Sequence, residues 1–265
     1  MISQTPKIVL KSPREIELMR AAGRIVSGVL DEIESRIRPG VTTAELNDIA
    51  GRRIREAGGT ALFLGVRHPQ ARFPFPASIC SSVNEEVVHG IPDDRPLKGG
   101  DIVSVDVGVR LNGYCGDAAR TFAIGAVGPR VKRLLDVTRS ALDLAIEEAR
   151  AGVRWSKIAR QMQKLVEDAS FGVVREFVGH GVGREMHEEP KVPNYVERGR
   201  DAQDFILMPG MTIAVEPMVT EGRPEVVFRD SDGWTIVTKD RSLAAHFEHT
   251  LAIREDGVDI LTLSA

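Results

Sequence analysis

Apolar residues in the first part of the chain recur at helical spacing. The first such run follows Ser12-Pro13-Arg14-Glu15, where serine and glutamate form a capping box and proline takes the first helical position. It predicts a helix from about 13 to 37. A second capping box, Thr42 with Glu45, begins a pattern that predicts a shorter helix ending near Ala57. Pro39-Gly40 and Gly58-Gly59 follow the two helices and predict the turns that end them.

The pattern then changes to apolar runs of the β type. Residues 79–89 predict a strand, a turn and a second strand. Two longer runs, 102–110 and 114–124, flank Asn112-Gly113, a dipeptide typical of two-residue hairpin turns. The sequence therefore predicts an antiparallel hairpin of two long strands.

The hairpin turn also predicts which side chains share a face. With Asn112-Gly113 as the turn, Gly108 lies opposite Asp117, and Asp106 lies one diagonal step from Asp117 on the same face. The two Cβ atoms are then about 7–8 Å apart, a spacing that suits two carboxylates on either side of a cation. A bulge at Gly116 would shift this register.

Residues 61–80 form an irregular segment that is rich in proline and carries Phe63, Phe73 and Phe75. An aromatic loop of this kind either lines a pocket or covers the core. The sequence favours neither interpretation over the other.

After Gly128-Pro129 the order of elements begins again. Apolar spacing predicts a long helix that ends near Gly152 and then a second, shorter helix, before further strand-like runs. The glycine corner Gly40-Val41 thus has a counterpart in Gly152-Val153.

Two further pairs of stretches repeat in the same order. Asp106 lies six residues after Gly100, as Glu216 lies six residues after Gly210, and His89-Gly90-Ile91 is matched by His180-Gly181-Val182. Three echoes in one order predict an internal duplication. We expect a single α+β domain over 1–265, with pseudo-repeat halves at about 12–127 and 128–265, each helix-helix-sheet, around a pseudo-twofold axis.

Composition narrows the class of protein. The 265 residues are 42% apolar and 28% charged with a net charge of −3, and no basic block recommends a nucleic-acid or membrane partner. Residues 1–11 lack the apolar core of a signal peptide, and no apolar run is long enough to cross a membrane. Cys80 and Cys115 are too few for a disulfide framework and are predicted to be buried thiols in a reducing cytoplasm.

Four carboxylates fall within apolar, strand-like surroundings, where burial of an acid costs several kcal/mol unless a cation or partner offsets it. Together with His180, which lies between two glycines, they predict an oxygen-rich site with a single imidazole. Four negative charges are balanced by two divalent ions, for which manganese, iron, cobalt and zinc are the candidates. Such a pair activates water and polarises a carbonyl, which predicts hydrolysis of an amide or ester. The five predicted ligands are Asp106, Asp117, His180, Glu216 and Glu248.

Two further histidines, His246 and His249, lie beside Glu248. A lone histidine is more often a satisfied structural residue than a ligand. Both are therefore predicted to be structural.

The chain resembles the type I methionine aminopeptidases over essentially its whole length. The motifs that carry the resemblance are Val87-Val88-His89-Gly90-Ile91-Pro92, Asp106 with Asp117, residues 179–183 with His187, Val215-Glu216-Pro217-Met218, Asp232-Gly233-Trp234-Thr235, Lys239-Asp240-Arg241-Ser242 and Phe247-Glu248-His249-Thr250. The resemblance implies the pita-bread fold and the same five metal ligands. It implies removal of the initiator methionine from nascent chains whose second residue is small.

The resemblance also implies roles for individual residues. His89 would contact the scissile amide, and His187 would contact the carbonyl and stabilise the tetrahedral intermediate. Glu216 would shuttle the proton of a metal-bridging hydroxide. The expected substrate-binding set is His89, His187, Cys80, Phe63, Phe75 and Trp234. One departure from the family pattern is the stretch 65–76, which is longer than the family's tyrosine-containing loop and has no tyrosine.

The expected partners are nascent polypeptide N-termini, met at the ribosome, and the expected state is a cytoplasmic monomer. Two other readings compete. A proline-directed relative such as a prolidase usually carries an additional N-terminal domain, whereas only about a dozen residues precede the first helix here. A non-catalytic pita-bread binding protein should have lost metal ligands, and all five are present.

Overall fold

The computed structural model describes residues 8–197 and 204–264. Its helices are α1 (Pro13–Arg36), α2 (Thr43–Glu56), α3 (Pro129–Glu148) and α4 (Trp155–Asp168). Its strands are β1 (Thr60–Ala61), β2 (Cys80–Val83), β3 (Glu86–Val88), β4 (Ile102–Leu111), β5 (Tyr114–Ala123), β6 (Gly172–Val173), β7 (Gly179–Gly181), β8 (Glu188–Val192), β9 (Thr212–Val215), β10 (Met218–Thr220), β11 (Val226–Phe228), β12 (Ile236–Thr238), β13 (Ala244–His246), β14 (His249–Ile253) and β15 (Val258–Ile260). The predicted α+β class is confirmed. The first seven residues of the stretch 1–11, for which no signal peptide is predicted, lie outside the described residues.

Both predicted capping boxes are present. At the start of α1 the Ser12 hydroxyl accepts a hydrogen bond from the backbone N–H of Glu15, and the Glu15 carboxylate accepts one from the backbone N–H of Ser12. Thr42 and Glu45 make the same reciprocal pair at α2. These bonds satisfy donors that a helix leaves unpaired at its first turn, so each helix begins where the sequence predicts.

The strands form four sheets. The first contains β1, β4 and β2 in that order, with β5 also paired to β4, and the second has the order β15-β14-β9-β7-β8. Two three-stranded sheets have the orders β13-β10-β6 and β11-β12-β3. Because β3 pairs with β12, and β5 packs against β14 of the second sheet, early and late parts of the chain are interleaved.

The long hairpin has the predicted register. Asn112 and Gly113 have φ of 51° and 80°, as a two-residue turn of this kind requires, and Gly108 pairs with Asp117. Gly116 pairs in register with Val109 and introduces no bulge. It serves packing instead, because a Cβ there would lie 2.7 Å from the backbone nitrogen of Gly23 in α1. Helix α1 can therefore lie directly on β5.

Hydrogen bonds join β5 to the far end of the chain. The Asp117 N–H donates to the Thr250 hydroxyl (3.1 Å), which donates in turn to the Asp117 carbonyl (2.8 Å). The Glu248 N–H donates to the Ala119 carbonyl at 2.9 Å. All three bonds are buried near the predicted ligands, so the two acids of the hairpin are held next to Glu248.

Two of the three sequence echoes have the same backbone conformation. Gly100 and Gly210, which precede Asp106 and Glu216, have φ of 97° and 86°. Gly40 and Gly152 have φ of 93° and 83°. The third echo is not matched, because His89 follows β3 with a φ of 58° whereas His180 lies within β7. From the first two pairs and the repeated helix-helix-strand order we infer the duplicated halves.

The apolar core has two main parts. One packs α1 and α2 against β4 and β5, and the other surrounds α3 and α4 with β9 and β14. Cys80 and Cys115 are both buried and free, as predicted. No helix within residues 8–197 and 204–264 is both long and apolar enough to cross a membrane.

Candidate metal centre

A cavity of about 670 Å³ is lined by residues from both halves of the chain. Its wall contains all five predicted metal ligands and all six residues predicted to contact the substrate. The five predicted ligands come from β4, β5, β7, the end of β9 and the turn between β13 and β14. The fold thus brings together residues that are up to 142 positions apart in the chain, from Asp106 to Glu248.

Asp106 and Asp117 face the cavity from the paired strands β4 and β5. One carboxylate oxygen of each, Oδ1, is buried without a hydrogen-bond partner. Burial raises the pKa of Asp106 to about 7, although a hydrogen bond with Asp117 counteracts part of this rise. Burial, together with the negative charges of Asp106 and Glu216, raises the pKa of Asp117 well above its ordinary value. Without a cation, both acids therefore resist ionisation.

Glu216 and Glu248 approach the same space from the second half of the chain. Burial raises the pKa of each carboxyl well above its ordinary value, and neighbouring acids raise it further. Glu248 is 3% exposed, and its Oε1 is also buried without a partner. Four acids arranged in this way destabilise the fold unless positive charge lies between them.

His180 is oriented by the backbone around it. Its Nδ1 lies 2.9 Å from the Gly181 carbonyl oxygen and donates to it, which leaves Nε2 with a lone pair. That Nε2 lies 3.8 Å from Asp117 Oδ2 and 3.5 Å from Glu216 Oε1. Burial lowers the pKa of His180 to about 4, so the ring is neutral at pH 7. Neutral imidazole is the form that binds a metal.

The glycines around His180 permit a close backbone approach, as the sequence predicts. A Cβ at Gly179 would clash with the Ala214 carbonyl oxygen, and one at Gly181 would clash with the Glu189 carbonyl oxygen. Both carbonyls belong to segments beside β7 in the second sheet. Any larger residue at these two positions would push the strand, and His180 with it, away from the acids.

Potential ligand atoms form two compact sets. Asp117, His180 and Glu248 each place one ligand atom within 4.8 Å of the others, and so do Glu216, His246 and Glu248. Glu248 belongs to both sets. Asp106 lies in the cavity wall but outside both sets. The donors are carboxylate oxygens and imidazole nitrogens with unsatisfied lone pairs, which fits a divalent cation of the manganese-to-zinc series.

The position of His246 makes it a candidate ligand, which the sequence does not predict. Predicted to be structural, it lies in the cavity wall, 2% exposed. His249, also predicted to be structural, lies outside the cavity wall, and its Nδ1 is 2.8 Å from the Thr262 hydroxyl oxygen. A signal for the difference was present in the sequence, because His246 and Glu248 are two residues apart in an extended segment and thus share a face.

His89 and His187 lie on the wall beside the acids. His89 packs edge-on against Phe177, with ring centroids 5.6 Å apart, and burial lowers its pKa to about 4. Its φ of 58° is in the left-handed region, which a residue with a Cβ seldom adopts. His187 is exposed, and its ring centroid lies 4.2 Å from that of His180. Phe177 is a site residue that no sequence motif indicated.

An aromatic pocket adjoins the acids. Phe75 contacts Phe63 and Trp234 edge-on, with ring centroids 6.4 Å and 5.3 Å away. Cys80 is buried and pairs with Asp106 across β2 and β4, so the thiol lies between the pocket and the acids. The irregular segment therefore lines a pocket with Phe63 and Phe75, while Phe73 is 42% exposed and its carbonyl accepts a hydrogen bond from Trp234 Nε1 (2.8 Å).

Comparisons with known proteins agree with this geometry. Residues 17–255 match a family model described as metallopeptidase family M24. The chain is 47% identical over 255 residues to methionine aminopeptidase 1 of Bacillus subtilis, covering 96% of this chain and 99% of that protein. A crystal structure of methionine aminopeptidase from Thermotoga maritima gives a TM-score of 0.90 at 43% identity, over 97% and 99% of the two chains. Prolidase from Pyrococcus furiosus gives a TM-score of 0.73 at 21% identity, over 97% of this chain and 66% of that one, which indicates a shared fold.

Proposed function

The chain belongs to metallopeptidase family M24 and, within it, to the methionine aminopeptidases, and we propose that its buried acids and histidines hydrolyse the peptide bond that follows an N-terminal methionine. It has the pita-bread fold of that family. The observation that carries the proposal is the meeting of four carboxylates, three of which have a buried oxygen without a hydrogen-bond partner, beside an aromatic pocket.

The family uses divalent metal, and the number and kind of ions are part of the proposal. Two ions of manganese, iron, cobalt or zinc would balance the four negative charges, held by Asp106, Asp117, His180, Glu216 and Glu248. When bound, such ions supply a Lewis acid for the substrate carbonyl and lower the pKa of a water molecule. The unpaired oxygens of Asp106, Asp117 and Glu248 support this assignment.

Glu216 is proposed to carry the proton in the reaction. Its two oxygens face two imidazoles, with Oε1 3.5 Å from His180 Nε2 and Oε2 3.7 Å from His246 Nε2. Burial raises its pKa, which makes this carboxylate a better base than an exposed glutamate. It would accept the proton of the attacking water and deliver it to the leaving amine.

The two wall histidines are proposed to hold the scissile peptide. A neutral imidazole presents one N–H donor and one lone pair, and the burial of His89 keeps it in that form. His89 would contact the amide nitrogen. The more exposed His187 would donate to the carbonyl oxygen as negative charge develops on it.

The aromatic pocket is proposed to bind the methionine side chain. Thioether sulfur makes favourable contacts with aromatic edges, and Phe63, Phe75 and Trp234 provide such edges next to the acids. Substrates would be nascent chains with a small second residue. Initiator methionine is exposed where chains are synthesised, so we place the protein in the cytoplasm, acting near the ribosome. We also propose that it acts as a monomer.

Three peptides test this function. Metal-loaded protein should cleave Met-Ala-Ser much faster than Met-Lys-Ser, and should leave Ala-Pro-Ser intact. Treatment with a chelator should abolish cleavage, and manganese or cobalt should restore it. Preferential cleavage of Ala-Pro-Ser would favour the proline-directed alternative, and full activity after metal removal would contradict the mechanism.

A further inference from the structure

We propose that His246 is a sixth metal ligand, so that each of the two ligand sets contains one imidazole. The inference rests on the proposed metal-dependent function. It raises the number of imidazole ligands in the proposed metal site from one to two. It concerns the set Glu216, His246 and Glu248, which is distinct from the set around His180 but shares Glu248 with it.

The backbone of His246 is fixed against the first half of the chain. Its N–H donates to the Thr121 hydroxyl at 2.8 Å, and that hydroxyl donates back to the His246 carbonyl at 2.8 Å. Ser104 lies 2.8 Å from the same hydroxyl and completes a buried network. With its backbone held at β5, the side chain of His246 extends into the cavity wall.

The ring nitrogen that reaches the acids has no partner. His246 Nε2 is buried without a hydrogen bond and lies 3.7 Å from both Glu216 Oε2 and Glu248 Oε2. That distance is too long for a hydrogen bond. A buried ring nitrogen without any partner is costly, and few persist in native proteins. One further atom, placed between His246 Nε2, Glu216 Oε2 and Glu248 Oε2, would give all three a bonding partner.

The distances between these three ligand atoms suit a cation placed between them. Two ligand atoms bound at about 2.1 Å to one tetrahedral ion lie about 3.4 Å apart. The observed separations from His246 Nε2 are 3.7 Å. The same reasoning applies to His180 Nε2, which lies 3.5 Å from Glu216 Oε1 and 3.8 Å from Asp117 Oδ2. The two imidazoles therefore face the acids in equivalent ways.

A second imidazole would change which metal the site prefers. Imidazole nitrogen suits cobalt and zinc, whereas an all-oxygen set suits manganese. Replacing His246 by glutamine should therefore weaken cobalt binding at one site by about tenfold or more and manganese binding by less than about threefold. A merely structural role for His246 would weaken both metals alike or neither.

The decisive experiment uses the full chain, stripped of metal and titrated with cobalt(II). Each ligating histidine keeps one ring N–H, whose proton resonance is strongly shifted by the cobalt and disappears in heavy water. We expect two such resonances in the unmodified protein. His246→Gln should remove one of them, His180→Gln the other, and the control His249→Gln neither.

The outcomes separate the inference from the function beneath it. One shifted resonance in the unmodified protein, lost only in His180→Gln, would overturn the role of His246 and leave the metallopeptidase proposal standing. Failure of the unmodified protein to bind cobalt at all would overturn both. If His246→Gln does not fold, as judged by thermal unfolding of the metal-free protein, the number of resonances in the unmodified chain still decides.

Discussion

At the scale of single residues, the buried acids determine how the site responds to pH. An acid whose pKa is raised by folding stabilises the folded state below its unfolded pKa, and this contribution is lost as pH rises through the folded value, about 7 for Asp106. The buried histidines act in the opposite sense. The pKa values of His180 and His246 are lowered to about 4 and about 3, so their contribution is lost as pH falls through those values.

Metal binding should therefore depend strongly on pH. Because protons compete with the cation for carboxylates of raised pKa, the rise in unfolding temperature caused by manganese should be larger at about pH 8 than at about pH 6. Scanning fluorimetry of metal-free and loaded protein at each pH measures this difference. Asp106→Asn should show a smaller difference, and a metal-induced rise that does not change with pH would contradict the assignment of these acids as ligands.

His187 provides a second prediction at this scale. It lies outside both ligand sets, so His187→Ala should keep the bound metal. Loss of a donor to the developing negative charge should lower kcat by about 10²-fold with a small change in KM. Steady-state assays with Met-Ala-Ser and metal analysis of the same sample test both parts. Loss of metal would mean that His187 is a ligand.

Single residues differ in how far the sequence could place them. Asp106 and Asp117 were placed on one face because their register depends only on the local turn at Asn112-Gly113. The sequence did not place His246 beside these acids. The direction of its side chain depends on the contact of β13 with β5, where His246 bonds Thr121, a residue 125 positions earlier in the chain. The left-handed backbone of His89 had no local signal either, since neither glycine nor asparagine occupies that position.

At the scale of elements, the contact between β5 and β14 holds the site together. The Thr250 hydroxyl bonds both the N–H and the carbonyl of Asp117, and it is completely buried. It links β5, which carries the proposed ligand Asp117, to β14, which follows the proposed ligand Glu248. Helix capping, by contrast, depends only on the four consecutive residues of each capping box, so the sequence alone could predict it.

Replacing Thr250 by valine tests this contact. The substitution keeps the shape of the side chain but leaves the bonds to Asp117 unmade, so the free energy of unfolding should fall by about 1–3 kcal/mol. Metal affinity should fall as well, because Asp117 is no longer held next to Glu248. Chemical denaturation and isothermal titration with manganese measure the two effects.

Thr138→Val is the matched control for that substitution. Thr138 is also completely buried, but its hydroxyl donates to the Leu134 carbonyl within α3, away from the cavity wall. Its replacement should leave manganese affinity unchanged. Equal loss of metal affinity in the two variants would show that general destabilisation, rather than the β5–β14 contact, is responsible.

At the scale of the whole molecule, the site belongs to neither half alone. Asp106 and Asp117 lie before residue 128, and His180, Glu216 and Glu248 lie after it. The sequence predicts a repetition of elements because glycine corners mark it. The arrangement of the halves was not, because it depends on pairings such as β3 with β12 that connect distant residues of different halves.

A site shared in this way predicts cooperative unfolding. We expect one calorimetric transition for the metal-free protein and one, at higher temperature, for the loaded protein, with the calorimetric enthalpy equal to the van't Hoff enthalpy in each. Two separate transitions, of which metal shifts only one, would show that the halves at about 12–127 and 128–265 behave as independent domains.

The left-handed backbone at His89 has a consequence for how this protein can be improved. A glycine in its place would adopt the same conformation at a lower energetic cost, yet it would remove the imidazole that we propose contacts the substrate. Stability and catalytic power therefore favour different residues at position 89. A selection for heat-resistant variants would therefore enrich His89→Gly. Such variants would remain folded at higher temperature but would hydrolyse little peptide.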